Sequence, residues 1–368
     1  MGGLSPRALL KIRLVIYGDL ETLTGGYLYD RMLVEFLRSR GDVVQIFSLP
    51  WRNYGRHLFD NLSQRLVRPV SEAQLDILIE DELNHPSLFG LNRRLKQMVH
   101  YPIVSIVHHL RCSELRPAWQ NRFYRLVESD YLAGVDGFIF NSVTTRSTVE
   151  GLIGNSKPSC VAFPGRDGVR PDMTRAAVER RALETGPLRI LFVGSLIPRK
   201  ELHTLLAALA RLPRDSWRLD VVGSPKTDPA YASGVLAEIE RLGMREQVQL
   251  LGSLTGQELA DCYSGNHLLA VPSSYEGFGI VYLEAMGFGL PALASTAGAA
   301  HEIITHDRDG FLVRAGDADA VARHVGELVS NRGKLVRMGL AALDRYAAHP
   351  TWGDSAATIR NFLEEMVH

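Results

Sequence analysis

The chain has 368 residues, more than one ordinary hydrophobic core organises, so two domains are expected. Its 46% hydrophobic and 22% charged residues are those of a globular protein, and 41 basic against 41 acidic side chains exclude polyanion binding, nucleic acid included, as its main business. No apolar run approaches the roughly 18 residues of a membrane span, no apolar leader follows Met1, and Cys112, Cys160 and Cys262 form no metal spacing; a cytoplasmic protein with reduced thiols is expected.

Short apolar runs alternate with helical stretches along the whole chain. In the first half, strands are expected at Ile12–Tyr17, Val43–Ser48, Asp76–Ile79, Ile103–Val107, Gly137–Phe140 and Cys160–Phe163, with a helix over Tyr27–Arg40. A polar, turn-rich stretch with Gly165, Gly168 and Pro171 follows, carrying a charged helix-like piece, Arg175–Glu184. It reads as a linker, 166–186, between domains 1–165 and 187–350. In the second half, strands are expected at Arg189–Val193, Arg218–Val222, Val248–Leu250, Leu268–Val271, Pro291–Ala294 and Phe311–Val313. Helices are expected at Leu202–Leu212, Ser233–Leu242, Gly256–Cys262, Leu283–Gly287 and Ala318–Ser330. The segment 351–368 carries an apolar face (Ala357, Ile359, Phe362, Leu363, Met366) that needs a partner; packing back onto the first domain would supply one. Continuous apolar strands separated by helices imply an α/β protein: two Rossmann-like parallel-sheet domains facing across a cleft at the carboxyl edges of their sheets.

The residues that carry chemistry fall at those edges. The first strand leads through a loop to Thr24-Gly25-Gly26, where bare N–H groups at a helix start suit a phosphate or hydroxyl. The fourth strand ends in His108-His109; one imidazole can face the cleft, and no third ligand stands at zinc spacing. The seventh ends in Gly194-Ser195, with Arg199-Lys200 opening the next helix, a cationic pair suited to a diphosphate. Gly223 follows the eighth strand as another glycine edge loop. The richest stretch is Glu276-Gly277-Phe278-Gly279-Ile280-Val281-Tyr282-Leu283-Glu284, two carboxylates around a glycine turn between a strand end and a helix start. Glu284 lies just over two helical turns beyond Glu276, near the face of the loop exit. By contrast, Asp307-Arg308-Asp309 reads as a turn and Asp317-Ala318-Asp319 as a helix cap, not as metal ligands.

Together these parts resemble the retaining glycosyltransferases of family 4, with the GT-B architecture. The strongest match is Glu276 to Glu284 against that family's E-x-F-G-x-x-x-x-E signature, supported by Val271-Pro272-Ser273 and Gly289-Leu290-Pro291. The resemblance implies transfer of a hexosyl group from a nucleotide-diphosphate sugar to a hydroxyl acceptor, with no metal or other cofactor, UDP-sugars ahead of GDP-sugars. It implies that Glu276 faces the sugar hydroxyls, that Phe278 and Gly279, with Ile280 in the same donor loop, offer backbone N–H groups, and that Glu284 accepts from the ribose. It further implies Lys200 on the diphosphate, His108 on the sugar near the reacting centre, and Gly25 and Gly26 near the diphosphate and acceptor. Ser195 departs from the family, which commonly has arginine there; Arg199 is the nearest replacement charge. His301 also departs, standing where proline is usual before Glu302.

Two other readings belong beside this one. A sugar-nucleotide epimerase of the same architecture would need cleft acids and histidines but no acceptor, and the glutamate–glycine signature argues against it. A non-catalytic nucleotide-sugar-binding subunit would have no reason to keep Glu276, Lys200 and His108 together. For the acceptor, the cluster Trp51, Arg52, Asn53, Tyr54, Arg56 and His57 suits a sugar, a planar ring or a peripheral contact with the inner face of a membrane. The polar run Glu80–His85 leaves a strand end and is expected to line the cleft.

Overall fold

Twelve strands, in two sheets of six, organise the described residues of the computed structural model, which are 9–63, 69–71 and 73–368. The chain divides into two units: residues up to Gly165 together with Pro350–His368, and Arg166–His349.

In the first unit, β1 (Lys11–Tyr17), β2 (Val43–Leu49), β3 (Ile77–Asp81), β4 (Ile103–Val107), β5 (Gly137–Phe140) and β6 (Ser159–Val161) lie in the order β2-β1-β3-β4-β5-β6. All neighbours are parallel; Leu14 of β1 stands opposite Ile46 on one side and Ile79 on the other. Central strands such as Ile-Val-Ser-Ile-Val of β4 are buried along their whole length, which is why they read as unbroken apolar runs. A core built on Leu78, Leu91, Leu95, Val107, Tyr131 and Phe140 fills one layer of this unit.

The terminal helix Trp352–Val367 belongs to this unit and packs on the helix Gly25–Ser39. It starts at a capping box, Thr351 and Asp354 each satisfying the other's backbone N–H. Arg360 clamps it down, donating from Nε to Asp42 Oδ2 at 2.8 Å and from Nη2 to Oδ1 at 3.0 Å, with both side chains buried.

In the second unit, β7 (Leu188–Val193), β8 (Trp217–Val222), β9 (Val248–Gly252), β10 (Leu268–Val271), β11 (Ala292–Ser295) and β12 (Gly310–Val313) lie in the order β12-β11-β10-β7-β8-β9, again parallel throughout. The stretch read from composition as a linker is part of this unit. Its helix Arg175–Ala182 packs on the helix Arg332–Ala347, and Arg181 donates to the carbonyls of Phe288 and Gly289 at 2.8 and 3.0 Å. Polar composition misled because the buried groups are one valine, one alanine and an arginine whose head donates to three backbone oxygens.

Candidate functional site

Each sheet has one place where neighbouring strands send their chains in opposite directions, opening a crevice at the carboxyl edge. In the second unit it lies between β7, which leads to β8, and β10, which leads to β11. The two loops that meet there are 194–200 and 272–279, the segments singled out from the sequence.

Glu276 is the hub. Its Oε1 accepts from Lys200 Nζ in a close ion pair and from Ser273 Oγ at 2.6 Å, while Arg199 Nη1 stands 3.6 Å from Oε2. Burial alone would push this carboxyl up; Lys200, then Arg199, then the bonds from Lys200 and Ser273 outweigh it and hold it at about 2. Burial also pulls the Lys200 ammonium below its ordinary range, opposed by Glu276 and reinforced by Arg199. The result is two cations around one carboxylate, a net positive group suited to a polyphosphate. Arg199 is fixed by its own bond to Tyr275 O at 2.7 Å, and Ser274 N donates to Arg199 O at 2.8 Å, tying the two loops together. Ser195, where the resembled family has arginine, carries no charge, so Arg199 and Lys200 are the cations of these loops.

Close backbone approach accounts for two glycines here. A Cβ on Gly223 would lie 1.9 Å from Gly194 O, so the loop after β8 can touch the loop after β7 only with glycine at 223. Gly223 thus shapes the cation loop by packing against it. Gly298, at φ +88°, would place a Cβ 2.0 Å from Glu276 O, and its neighbour Ala299 donates to that same oxygen at 2.9 Å.

The helix Ile280–Gly287 begins at Gly279, whose φ is +96°, with no side chain capping its start. The positive end of that helix therefore faces the crevice with only backbone donors. Phe278 is buried, its ring 5.8 Å from that of His349. Glu284, also buried, accepts from Tyr263 Oη at 2.8 Å. Burial raises its carboxyl and Tyr263 partly offsets this. Tyr263, stacked on Phe288, is a positioning residue the sequence did not reveal, since it stands 21 positions away on another helix.

In the first unit the corresponding place lies between β1 and β3. Thr24 caps the helix that Gly25 and Gly26 open, accepting from Tyr27 N. His108 lies against this turn: a Cβ on Gly26 would stand 3.2 Å from its ring. His108 Nε2 is 3.4 Å from Asp30 Oδ1, one turn into the same helix, and Tyr29 meets its ring edge-on. Burial would lower this imidazole; the bond and charge of Asp30, then Asp81 and Glu82, overcome it and raise it to about 8. Its neighbour His109 turns instead to Glu114, at 3.1 Å.

The run Glu80–His85, expected at a cleft wall, is a buried polar cluster. Glu80, Asp81, Glu82, Asn84 and His85 are all buried, and burial raises each of the three carboxyls to about 7 and lowers His85 to about 4. Among the described residues, two groups bring three possible ligand atoms within 4.8 Å of one another: Asp30, Asp81 and His108, and Glu82, His85 and Glu128. In the cluster read as a basic–aromatic contact surface, His57 is buried and Arg52 pairs with Asp60, while Trp51, which covers Gly18, is 55% exposed and Asn53 and Arg56 are exposed as well.

Comparison with known proteins agrees with the second unit's geometry. Residues 174–345 match the family described as glycosyl transferases group 1. A D-inositol 3-phosphate glycosyltransferase of Nocardia farcinica is 31% identical over 237 residues, covering 62% of this chain and 52% of that protein. A GDP-mannose-dependent alpha-(1-6)-phosphatidylinositol monomannoside mannosyltransferase of Mycobacterium tuberculosis is 30% identical over 242 residues, covering 62% of each. The chain thus spans between half and two thirds of the length of these relatives. Among solved structures, sucrose-phosphate synthase of Thermosynechococcus elongatus superposes with a TM-score of 0.80 at 20% identity, over 96% of this chain and 98% of its own. Anabaena HepE, solved with UDP and glucose, gives 0.76 at 18% identity, over 97% and 100%. Residues 174–345, nearly the whole second unit, thus match the glycosyl transferases group 1 family, and the chain has the two-domain GT-B fold.

Proposed function

We propose that this protein transfers a hexosyl group from a nucleotide-diphosphate sugar to a hydroxyl acceptor, with retention of the anomeric configuration and without a metal. The observation that carries the reading is the Lys200–Glu276–Arg199 group at the switch point of the second sheet, beside the uncapped start of the helix Ile280–Gly287. As the glycosidic bond breaks, negative charge grows on the leaving diphosphate. Lys200, Arg199 and the helix N–H groups stabilise that charge where water is scarce. Glu276, held anionic, orients the sugar hydroxyls and stabilises positive charge developing at the anomeric carbon. Glu284, steadied by Tyr263, binds the ribose, and the backbone of Phe278, Gly279 and Ile280 holds the sugar. In the first unit, His108 acts on the donor sugar, with Gly25 and Gly26 giving close backbone approach.

The donor is a UDP-sugar or a GDP-sugar. HepE was solved with UDP, and the Mycobacterium tuberculosis relative is named for GDP-mannose, which supports both. The acceptor is a polyol or a lipid-linked polyol, as the names of the two relatives suggest. The test is release of nucleoside diphosphate from UDP-, GDP- and ADP-sugars, with and without inositol-phosphate and glycolipid acceptors, in the presence of chelator. Acceptor-dependent release that Glu276→Gln abolishes supports the reading. Interconversion of donor sugars without any acceptor would replace it with the epimerase.

A further inference from the structure

The helix Ala118–Gly134 buries one face through Val127, Glu128, Tyr131, Leu132 and Gly134. Its opposite face is unusual. Trp119 is 71% exposed, Phe123 42% and Leu126 65%, and Leu115, just before the helix, is 74% exposed. Positions 115, 119, 123 and 126 recur every three or four residues, so these four side chains form one continuous stripe. Apolar residues scattered singly on a surface need no explanation, but a contiguous row containing a tryptophan marks a contact surface.

The charge beside the stripe has one sign. Arg122 and Arg125 are exposed on its flank. The acids nearby are engaged: Asp130 pairs with Arg93, and Glu114 with Arg116 and His109. Tyr124 turns inward beneath Arg111, whose guanidinium carbon is 4.9 Å from its ring centroid. The stripe is thus apolar at its centre and basic at its edge, the composition of a helix lying in a membrane interface.

We propose that this face docks on an anionic lipid bilayer, with Trp119, Phe123 and Leu126 entering the headgroup boundary and Arg122 and Arg125 meeting lipid phosphates. A second copy of the chain fits less well, because a two-fold contact through this face would gather the arginines of both copies while the nearby acids already pair elsewhere. The inference stands apart from the donor reading, since docking requires no nucleotide.

The test is co-sedimentation of the full chain with phosphatidylcholine vesicles, with and without phosphatidylglycerol, at low and near-physiological salt. Wild type is expected to sediment with the anionic vesicles only, and less as salt rises. Arg122→Glu/Arg125→Glu is expected to weaken partition by roughly tenfold or more. Trp119→Ser/Phe123→Ser/Leu126→Ser is expected to lose it at both salts. All five side chains are exposed, and an unchanged melting temperature checks that each variant folds. Equal partition of wild type and both variants, or no partition of wild type, overturns the proposal. So does velocity sedimentation showing a wild-type dimer that the triple variant dissolves, which would assign the face to self-association.

Discussion

Lys200→Met removes the ammonium that keeps Glu276 ionised in a buried place, and its consequence can be worked out from the structure. Depression of the Glu276 carboxyl from an ordinary 4.5 to about 2 corresponds to roughly 3 kcal/mol of folding free energy. A Coulomb estimate agrees: opposite charges about 4 Å apart at an effective dielectric near 20 attract by about 4 kcal/mol. Because the folded carboxyl is depressed, this stabilisation is complete above pH 4.5 and is lost as pH falls toward 2. Lys200→Met is therefore expected to destabilise the second unit by roughly 3 kcal/mol at pH 7 and to flatten its acid dependence below pH 5. Glu276→Gln is expected to cost a similar amount, since it leaves Lys200 and Arg199 facing each other without their counter-charge. The double variant, which removes both ends of the pair, is expected to be more stable than either single one. Urea unfolding of the four proteins at pH 7 and pH 4 measures the cycle. A coupling below about 1 kcal/mol would show that the pair behaves as a solvated surface contact and would refute the reasoning.

Other outcomes follow from named contacts. Asp30→Asn removes the anion that most raises His108, so its imidazole is expected to titrate well below about 8, which two-dimensional NMR of the ring nitrogens reads directly. In wild type this pairing contributes stability below pH 6.5 that is lost as pH rises past 8. Gly223→Ala drives a Cβ into Gly194 O, so a melting temperature lower by several degrees and weakened nucleotide binding are expected together. Asp42→Asn leaves the buried Arg360 one oxygen of its clamp and its ion pair with Glu364, and a loss of about 2 kcal/mol is expected in the first unit's denaturant transition.

How much of this was legible beforehand depended on whether a feature is local. All twelve strands were found, with ends shifted by up to two residues; the central ones, buried throughout, announce themselves as apolar runs, and the half-buried edge strands β2, β6 and β9 keep enough apolar residues to be read. Helices with a mixed surface did not. Ala118–Gly134 buries a glutamate and exposes a tryptophan, which erases the apolar periodicity that would reveal it. In the second unit, Glu276, Lys200, Arg199 and Glu284 stood out because they lie in short motifs, in the loops after β7 and β10 and in the helix that follows. Their partners could not: Tyr263, Asp30 and the contact between Gly223 and Gly194 join positions 21 to 78 residues apart, and only the fold brings them together. The run Glu80–His85 shows the converse error. Polarity suggested a cleft wall, whereas the side chains are buried and bond groups inside the unit, Glu80 accepting from Asn92 at 2.8 Å and Asn84 donating to Val15 O at 3.1 Å.

The central claim is that the group formed by Lys200, Arg199 and Glu276 holds a nucleoside diphosphate. Calorimetric titration of UDP and GDP into wild type and Lys200→Met tests it most directly, with the folded state of each confirmed by its unfolding transition. Wild type is expected to bind one of the two nucleotides, and Lys200→Met to bind it roughly tenfold to a hundredfold more weakly, the worth of one charge-assisted contact. Equal affinity in the two proteins would contradict the account.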